Sequence, residues 1–213
     1  MKYDEFKNKV QAWPLIFSRD LMLSQLRKQA IRNQLERWQS RKLIIKLKRG
    51  VFLLNSNDRK IDPSKFYIAN QLYSPSYVSL ESALSIYGLI PERVSDTTNI
   101  TSKKTMRIKN ELGVFVYQHI KTHAFRGFIA QKETSGLTLF IAEPEKALVD
   151  FCYLNLEKFK GDIKAVFEDS YRLQNTETLN AKKLMAFAMC FNNAKLLRVI
   201  KVLCGLIRKE RAR

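Results

Sequence analysis

Residues 25–54 read "QLRKQAIRNQLERWQSRKLIIKLKRGVFLL". Nine basic residues lie in this stretch: Arg27, Lys28, Arg32, Arg37, Arg41, Lys42, Lys46, Lys48 and Arg49. A single acid, Glu36, stands among them. Ile31, Leu35 and Trp38 recur at helical spacing and predict a helix over roughly 26–40 with one apolar stripe. Leu26 falls off that stripe, and the next position on it, Lys42, is charged, so the apolar face stops at Trp38. The following "KLIIKLKRGVFLLN" reads as two short β-prone runs that reverse at Gly50, the pattern of a hairpin.

Upstream, "YDEFKNKVQAW" sets Phe6, Val10 and Trp13 on one face of a short helix that Pro14 ends. "LIFS" is a brief extended piece. Ser18 can cap a second helix, "RDLMLSQ", with Asp20 near its positive end. Three helices followed by a hairpin is the order of a winged helix-turn-helix, expected here over residues 1–56. On the third helix the face opposite the apolar stripe holds Gln29, Asn33 and Glu36, flanked by Arg32 and Arg37. Gln and Asn amides match adenine in the major groove, and Arg matches guanine. Lys46, Lys48 and Arg49 at the wing tip suit phosphates or a minor groove. The expected DNA-binding set is Arg27, Lys28, Gln29, Arg32, Asn33, Arg37, Lys46, Lys48 and Arg49, and the expected partner is double-stranded DNA. The competing reading is a solvated basic face with no ligand.

Composition agrees. The chain has 213 residues, 46% of them apolar, and a formal net charge of +18. Such an excess favours a polyanionic partner. It sits at the ends: residues 1–60 carry a net +10, residues 61–194 a net +2 and residues 195–213 a net +6. Cys152, Cys190 and Cys204 are widely spaced among apolar neighbours, which predicts free thiols and neither a disulfide framework nor a zinc site. "MKYDEFKNKVQAW" has no apolar leader core, and the longest apolar run, "LMAFAMCF", is far short of the ~20 residues that span a bilayer. A cytoplasmic protein without a membrane partner is expected.

Beyond the hairpin, the polar run "NSNDRKID" over 55–62 is the candidate linker. Asp62-Pro63 reads as a cap and first-turn proline opening "SKFYIANQLY". Ser79 can cap "LESALSIY", and Gly88 stands where a helix end wants a left-handed residue. "TNITSKKTMRIKN", "GVFVYQHIK", "FRGFIAQKE" and "LTLFIA" predict a meander of about four strands, with "KETSGL" as a hairpin tip. From Glu143 the chain is helical, and its last helix carries Leu196, Leu197, Ile200, Leu203, Cys204 and Ile207 on one stripe. The expected fold class is α+β: a winged helix-turn-helix, then over 62–213 a mixed domain with a mainly antiparallel sheet and several helices.

No catalytic constellation emerges. Glu143, Glu145 and Asp150 in "EPEKALVD" could serve a metal-dependent nuclease, but acids beside Pro144 suit a helix first turn. His119 and His123 follow a β-run and lack the helical setting and further ligands of a zinc pair. No phosphate loop or nucleophile elbow is present. Neither a cofactor nor a metal is expected.

Three blocks, "LRKQAIRNQLERWQSRKLIIKLKRGVFLL", "YIANQLYSPSYVSLESALSIYGLIPE" and "IAEPEKALVDFCYL", together resemble the AbiEi-type antitoxins of type IV toxin–antitoxin systems, a family of winged-helix transcriptional regulators. They come in the family's order over about residues 20–155, and "TNITSKKT" fits its following strand. The resemblance implies a winged helix that binds inverted repeats in its own promoter and represses the operon. It also implies an α/β antitoxin domain that opposes a nucleotidyltransferase-like toxin without needing a stable complex. By position it puts Arg27, Lys28, Arg32, Asn33, Lys46, Lys48 and Arg49 in the DNA-contacting helix and wing, and makes the "EKAL-D" acids fold determinants. The family often has Gly where this chain has Lys42, at the helix-to-wing turn. A standalone regulator without antitoxin activity is the alternative.

Overall fold

The computed structural model describes residues 2–21, 28–92 and 94–211; the side chain of Lys28 also falls outside what is described. The architecture is mixed α/β, with a three-stranded and a six-stranded sheet among the described residues. The first part runs α1 (Tyr3–Val10), β1 (Ile16–Phe17), α2 (Ser18–Leu21), α3 (Lys28–Ser40), β2 (Ile44–Lys48) and β3 (Val51–Leu54). Leu26, and the end of the expected helix "RDLMLSQ", lie outside the described residues.

Ile31, Leu35 and Trp38 of α3 are buried as their spacing requires, against Phe6, Val10, Ile16, Ile44, Phe52 and Leu54. Trp38 stacks on Phe6 with centroids 4.3 Å apart, and Tyr3 meets it edge-on at 5.6 Å. Trp13 departs from expectation. Helix α1 stops at Val10, so helical spacing no longer carries Trp13 inward, and it is 38% exposed.

The end of α3 explains Lys42. The Leu43 N–H donates to Trp38 O at 2.9 Å and the Lys42 N–H to Gln39 O at 2.9 Å, the paired bonds of a Schellman motif. Its penultimate residue must be left-handed, and Lys42 has φ 56°. That conformation costs a residue with a Cβ ~1–2 kcal/mol. Lys42→Gly is therefore expected to stabilise the chain by up to ~1 kcal/mol, after the freedom that glycine adds to the unfolded chain. The check is the urea midpoint, and a lower midpoint for the variant would contradict the strain.

Strand β3 is the middle of the small sheet, antiparallel to both β1 and β2. Gly50 turns the hairpin at φ 77°, and a Cβ there would meet Ser18 Oγ at 3.0 Å. All four β3 residues are buried, because successive side chains point to opposite faces and both faces are covered. Phe52 and Leu54 face α1 and α3. Val51 and Leu53, with Leu15 and Leu47, join a second core containing Ile68, Ala69, Leu72, Phe115 and Tyr117.

The polar stretch after β3 is fastened down. The Tyr3 hydroxyl donates to Asp58 Oδ2 at 2.7 Å, and Lys60 N–H to Gln11 O at 2.8 Å. Asp62 is not the cap of the next helix, α4 (Lys65–Leu72). Ser64 takes that place, its Oγ accepting from Tyr67 N at 3.1 Å, because the helix begins two residues later than Pro63 suggests. Asp62 pairs instead with Arg59 at 2.5 Å.

The large sheet has six strands, not about four: β4 (Ser76–Val78), β5 (Thr97–Thr101), β6 (Met106–Asn110), β7 (Gly113–His119), β8 (Phe128–Lys132) and β9 (Thr138–Ala142). Their order is β6-β7-β5-β4-β9-β8, with β5/β7 and β4/β9 parallel and the other pairs antiparallel. "TNITSKKTMRIKN" bends after Thr101 and yields two strands. β4 is too short for its alternation to be read. The expected "KETSGL" hairpin tip joins β8 to β9.

Helices α5 (Leu80–Ile86), α6 (Pro144–Leu154), α7 (Ile163–Ala165), α8 (Ala181–Met189) and α9 (Ala194–Arg211) build the largest core with this sheet. Gly88 ends α5 at φ 65°, as its position predicts. α9 buries Leu196, Val199, Ile200, Leu203, Cys204 and Ile207, so Val199 rather than Leu197 completes the stripe. Its Lys195, Arg198, Lys201 and Arg208 are exposed. Among the described residues no helix is long and apolar enough to cross a membrane.

At the centre of this core is a buried ion pair. Lys146 and Asp150, one turn apart on α6, bond to each other with both side chains fully buried. Asp150 Oδ2 also accepts from Tyr77 Oη at 3.0 Å and Ser79 Oγ at 2.9 Å. Ser79 holds the N-cap position of α5, but its hydroxyl is turned to Asp150 and does not cap. The Lys146 ammonium lies 4.8 Å from the Phe191 ring centroid. Burial pulls the Lys146 ammonium below its usual range and pushes the Asp150 carboxyl up, and each partner's charge opposes the other's shift. Burial, then Asp150, raises the Tyr77 phenol.

Candidate nucleic-acid interface

Helix α3 turns its buried stripe inward, so its opposite face is set by the 100° step between residues. Gln29, Arg32, Asn33, Glu36 and Arg37 are all exposed there. The Gln29 Nε2 amide donates to Asn33 Oδ1 at 2.8 Å, a contact that helical neighbours four apart allow. The bonded amides leave Gln29 Oε1 as an acceptor and Asn33 Nδ2 as a donor. Glu36 is the one carboxylate on this face. Among the described residues no acid lies within ion-pair reach of Arg32, Arg37, Arg41, Lys46 or Arg49. Lys28 opens α3, and Arg27 lies outside the described residues.

Lys46 is exposed on β2 and Arg49 is exposed at the hairpin turn. Lys48 is placed differently. It is half-buried, and its ammonium donates to Leu72 O, the last carbonyl of α4. A cation suits that end of a helix, where unpaired carbonyls gather. Burial lowers the pKa of Lys48, with further contributions from the positive charges of Lys103 and Arg19. Asn110 Nδ2 donates to Leu47 O at 3.0 Å beside it. The hairpin tip is thus bonded to α4 and β6.

The same placement brings up cations that sequence periodicity missed. Arg19 lies over the Phe17 ring at 4.9 Å. Lys103 and Lys104 are exposed on the turn between β5 and β6. The two adjacent lysines of "TSKKT" were the available signal, hidden inside what reads as one β-run.

The carboxylates and histidines do not converge. Glu143 pairs with Lys183, Glu145 accepts from Asn180 N at 2.8 Å, and Asp150 holds Lys146. His119 Nδ1 is 2.8 Å from Lys103 O, while His123 sits in a one-turn 3-10 helix, Thr122–Ala124. Among the described residues no three His, Cys, Asp or Glu side chains are grouped to hold a metal ion. No protein-family model matches the chain, and a search of curated proteins finds no match either.

Proposed function

We propose that the chain is a DNA-binding transcriptional repressor whose first 56 residues act as a winged helix-turn-helix, with α3 as the reading helix and β2–β3 as the wing. The observation that carries this reading is the exposed face of α3, where Arg32 and Arg37 have no acidic partner among the described residues and the Gln29–Asn33 pair still offers an acceptor and a donor. Adenine presents the matching donor and acceptor in the major groove. Arg32, Arg37, Lys46 and Arg49 would neutralise phosphates, or guanine edges in the case of the arginines. Lys48, bonded to Leu72 O, serves the frame of the wing.

On the resemblance in sequence, the operon it represses is its own, and the protein is the antitoxin of a type IV system. The rest of the chain then opposes a nucleotidyltransferase-like toxin in the cytoplasm, without a stable complex.

The test is binding to the DNA upstream of its own gene, measured across salt concentrations. Each lost phosphate contact reduces the slope of log affinity against log salt by ~0.9. Arg32→Ala and Lys46→Ala should each weaken binding and flatten the slope by about that amount. Lys48→Met should leave the slope alone and lower stability by ~1 kcal/mol, the net worth of one hydrogen bond. Unchanged affinity and slope in both Arg32→Ala and Lys46→Ala would sink the reading. Growth rescue on co-expression with the neighbouring gene tests the antitoxin role.

A further inference from the structure

A cleft of about 480 Å³ opens between α5, β5, β7, α6 and the chain after α6. That volume lies within the ~300–1,000 Å³ typical of small-ligand sites. Val116 and Phe151 supply apolar wall, and Phe151 meets the Tyr171 ring edge-on with centroids 4.8 Å apart. A wide π-helical turn, Val166–Ser170, delivers Tyr171 to this position.

The Glu81 carboxylate and the Tyr171 hydroxyl both line the cleft without a partner among the described residues, and the hydroxyl is itself buried. Burial chiefly, then Cys152 and Glu81, raises the Tyr171 phenol to about 12, so it is neutral near pH 7. The acids at the rim, Glu92 and Asp96, are drawn outward to Arg172 at 3.2 Å and Arg107 at 3.4 Å. The Lys158 ammonium already stands 5.9 Å from the Tyr171 centroid, which shows that this ring accepts a cation at its face.

We propose that the cleft binds an alkylammonium group. The ammonium pairs with Glu81 and donates to the Tyr171 oxygen, and its alkyl stem lies on Val116 and Phe151. An anionic ligand would meet the unpaired Glu81 carboxylate. A neutral apolar one would leave both unpartnered groups desolvated and unbonded. The ammonium has two sources, a free diamine or a lysine side chain of another protein, and the assignment is independent of the DNA reading.

The experiment is calorimetric titration of the full chain with three probes at up to about 10 mM: 1,4-diaminobutane, the tripeptide acetyl-Leu-Lys-Leu-amide, and 1-pentanol. Saturable binding of the diamine alone assigns a small metabolite, and of the tripeptide alone a protein partner. Either supports the proposal if Glu81→Gln weakens it about tenfold or more, as loss of a charge-assisted bond requires. Tyr171→Phe should weaken it less, and Glu157→Gln, which changes an exposed carboxylate outside the cleft, not at all. Thermal midpoints confirm that each variant folds. No binding by either amine, equal binding of 1-pentanol, or indifference to Glu81→Gln overturns the proposal.

Discussion

Asp150→Ala is expected to cost roughly 3–5 kcal/mol of folding stability, the range for breaking a buried ion pair from one side. The loss is large because three groups depend on this carboxylate. Lys146 would be left with a buried charge and no counter-ion, and the Tyr77 and Ser79 hydroxyls would lose their acceptor. The surrounding packing cannot relax to admit water easily: Gly127 lies so close that a Cβ on it would stand 3.1 Å from Lys146 Cγ and 2.6 Å from the Phe187 ring. The double variant Lys146→Met, Asp150→Leu should recover part of the loss, since it removes both charges together. It cannot recover all of it, because the two hydroxyls stay buried without an acceptor. Denaturant unfolding checks both, and an Asp150→Ala variant within ~1 kcal/mol of the parent, the scale of one ordinary hydrogen bond, would contradict the account.

Phe115→Ala, in β7, is expected to cost a similar ~3–5 kcal/mol through the cavity it leaves. The informative part is where the loss is felt. Phe115 is fully buried in the core that also holds Leu47, Val51 and Leu53 of the hairpin. Removing its ring should therefore loosen β3 as well as β7, and amide hydrogen exchange should speed up in both strands. On the proposed DNA-binding reading, affinity for DNA should fall with it, although Phe115 lies far along the chain from α3. If exchange rises in β7 alone, the shared core transmits nothing to the hairpin.

The parts of this fold that can be read from sequence are those with local periodicity. The α3 stripe of Ile31, Leu35 and Trp38 and the reversal at Gly50 depend only on near neighbours, and both are where their spacing puts them. What could not be read depends on distant partners. Ser79 looks like a helix cap, and its hydroxyl instead meets Asp150 71 residues away. Lys48 looks like one more wing-tip cation, and it bonds to a carbonyl 24 residues downstream. The parallel pairing of β5 with β7 and of β4 with β9 leaves no local trace, so a sheet with a shuffled order reads as a meander. The cleft at Glu81 and Tyr171 draws on segments some ninety positions apart in the chain, and no pattern within either segment announces it.

Strand β3 has apolar side chains on both of its faces, one set for α1 and α3 and the other for α4 and β7. Inheritance is constrained by that arrangement. A recombination joint placed in the polar stretch after Leu54 would look permissive by composition, yet it would bring Val51 and Leu53 against a foreign Ile68, Leu72 and Phe115. Exchange of the N-terminal part between related chains, in nature or in the laboratory, should succeed only when those three positions travel with it or are already matched in size and shape. If Gln29, Arg32 and Asn33 read DNA as proposed, a new specificity is more readily acquired by changing them in place than by trading the segment that carries them.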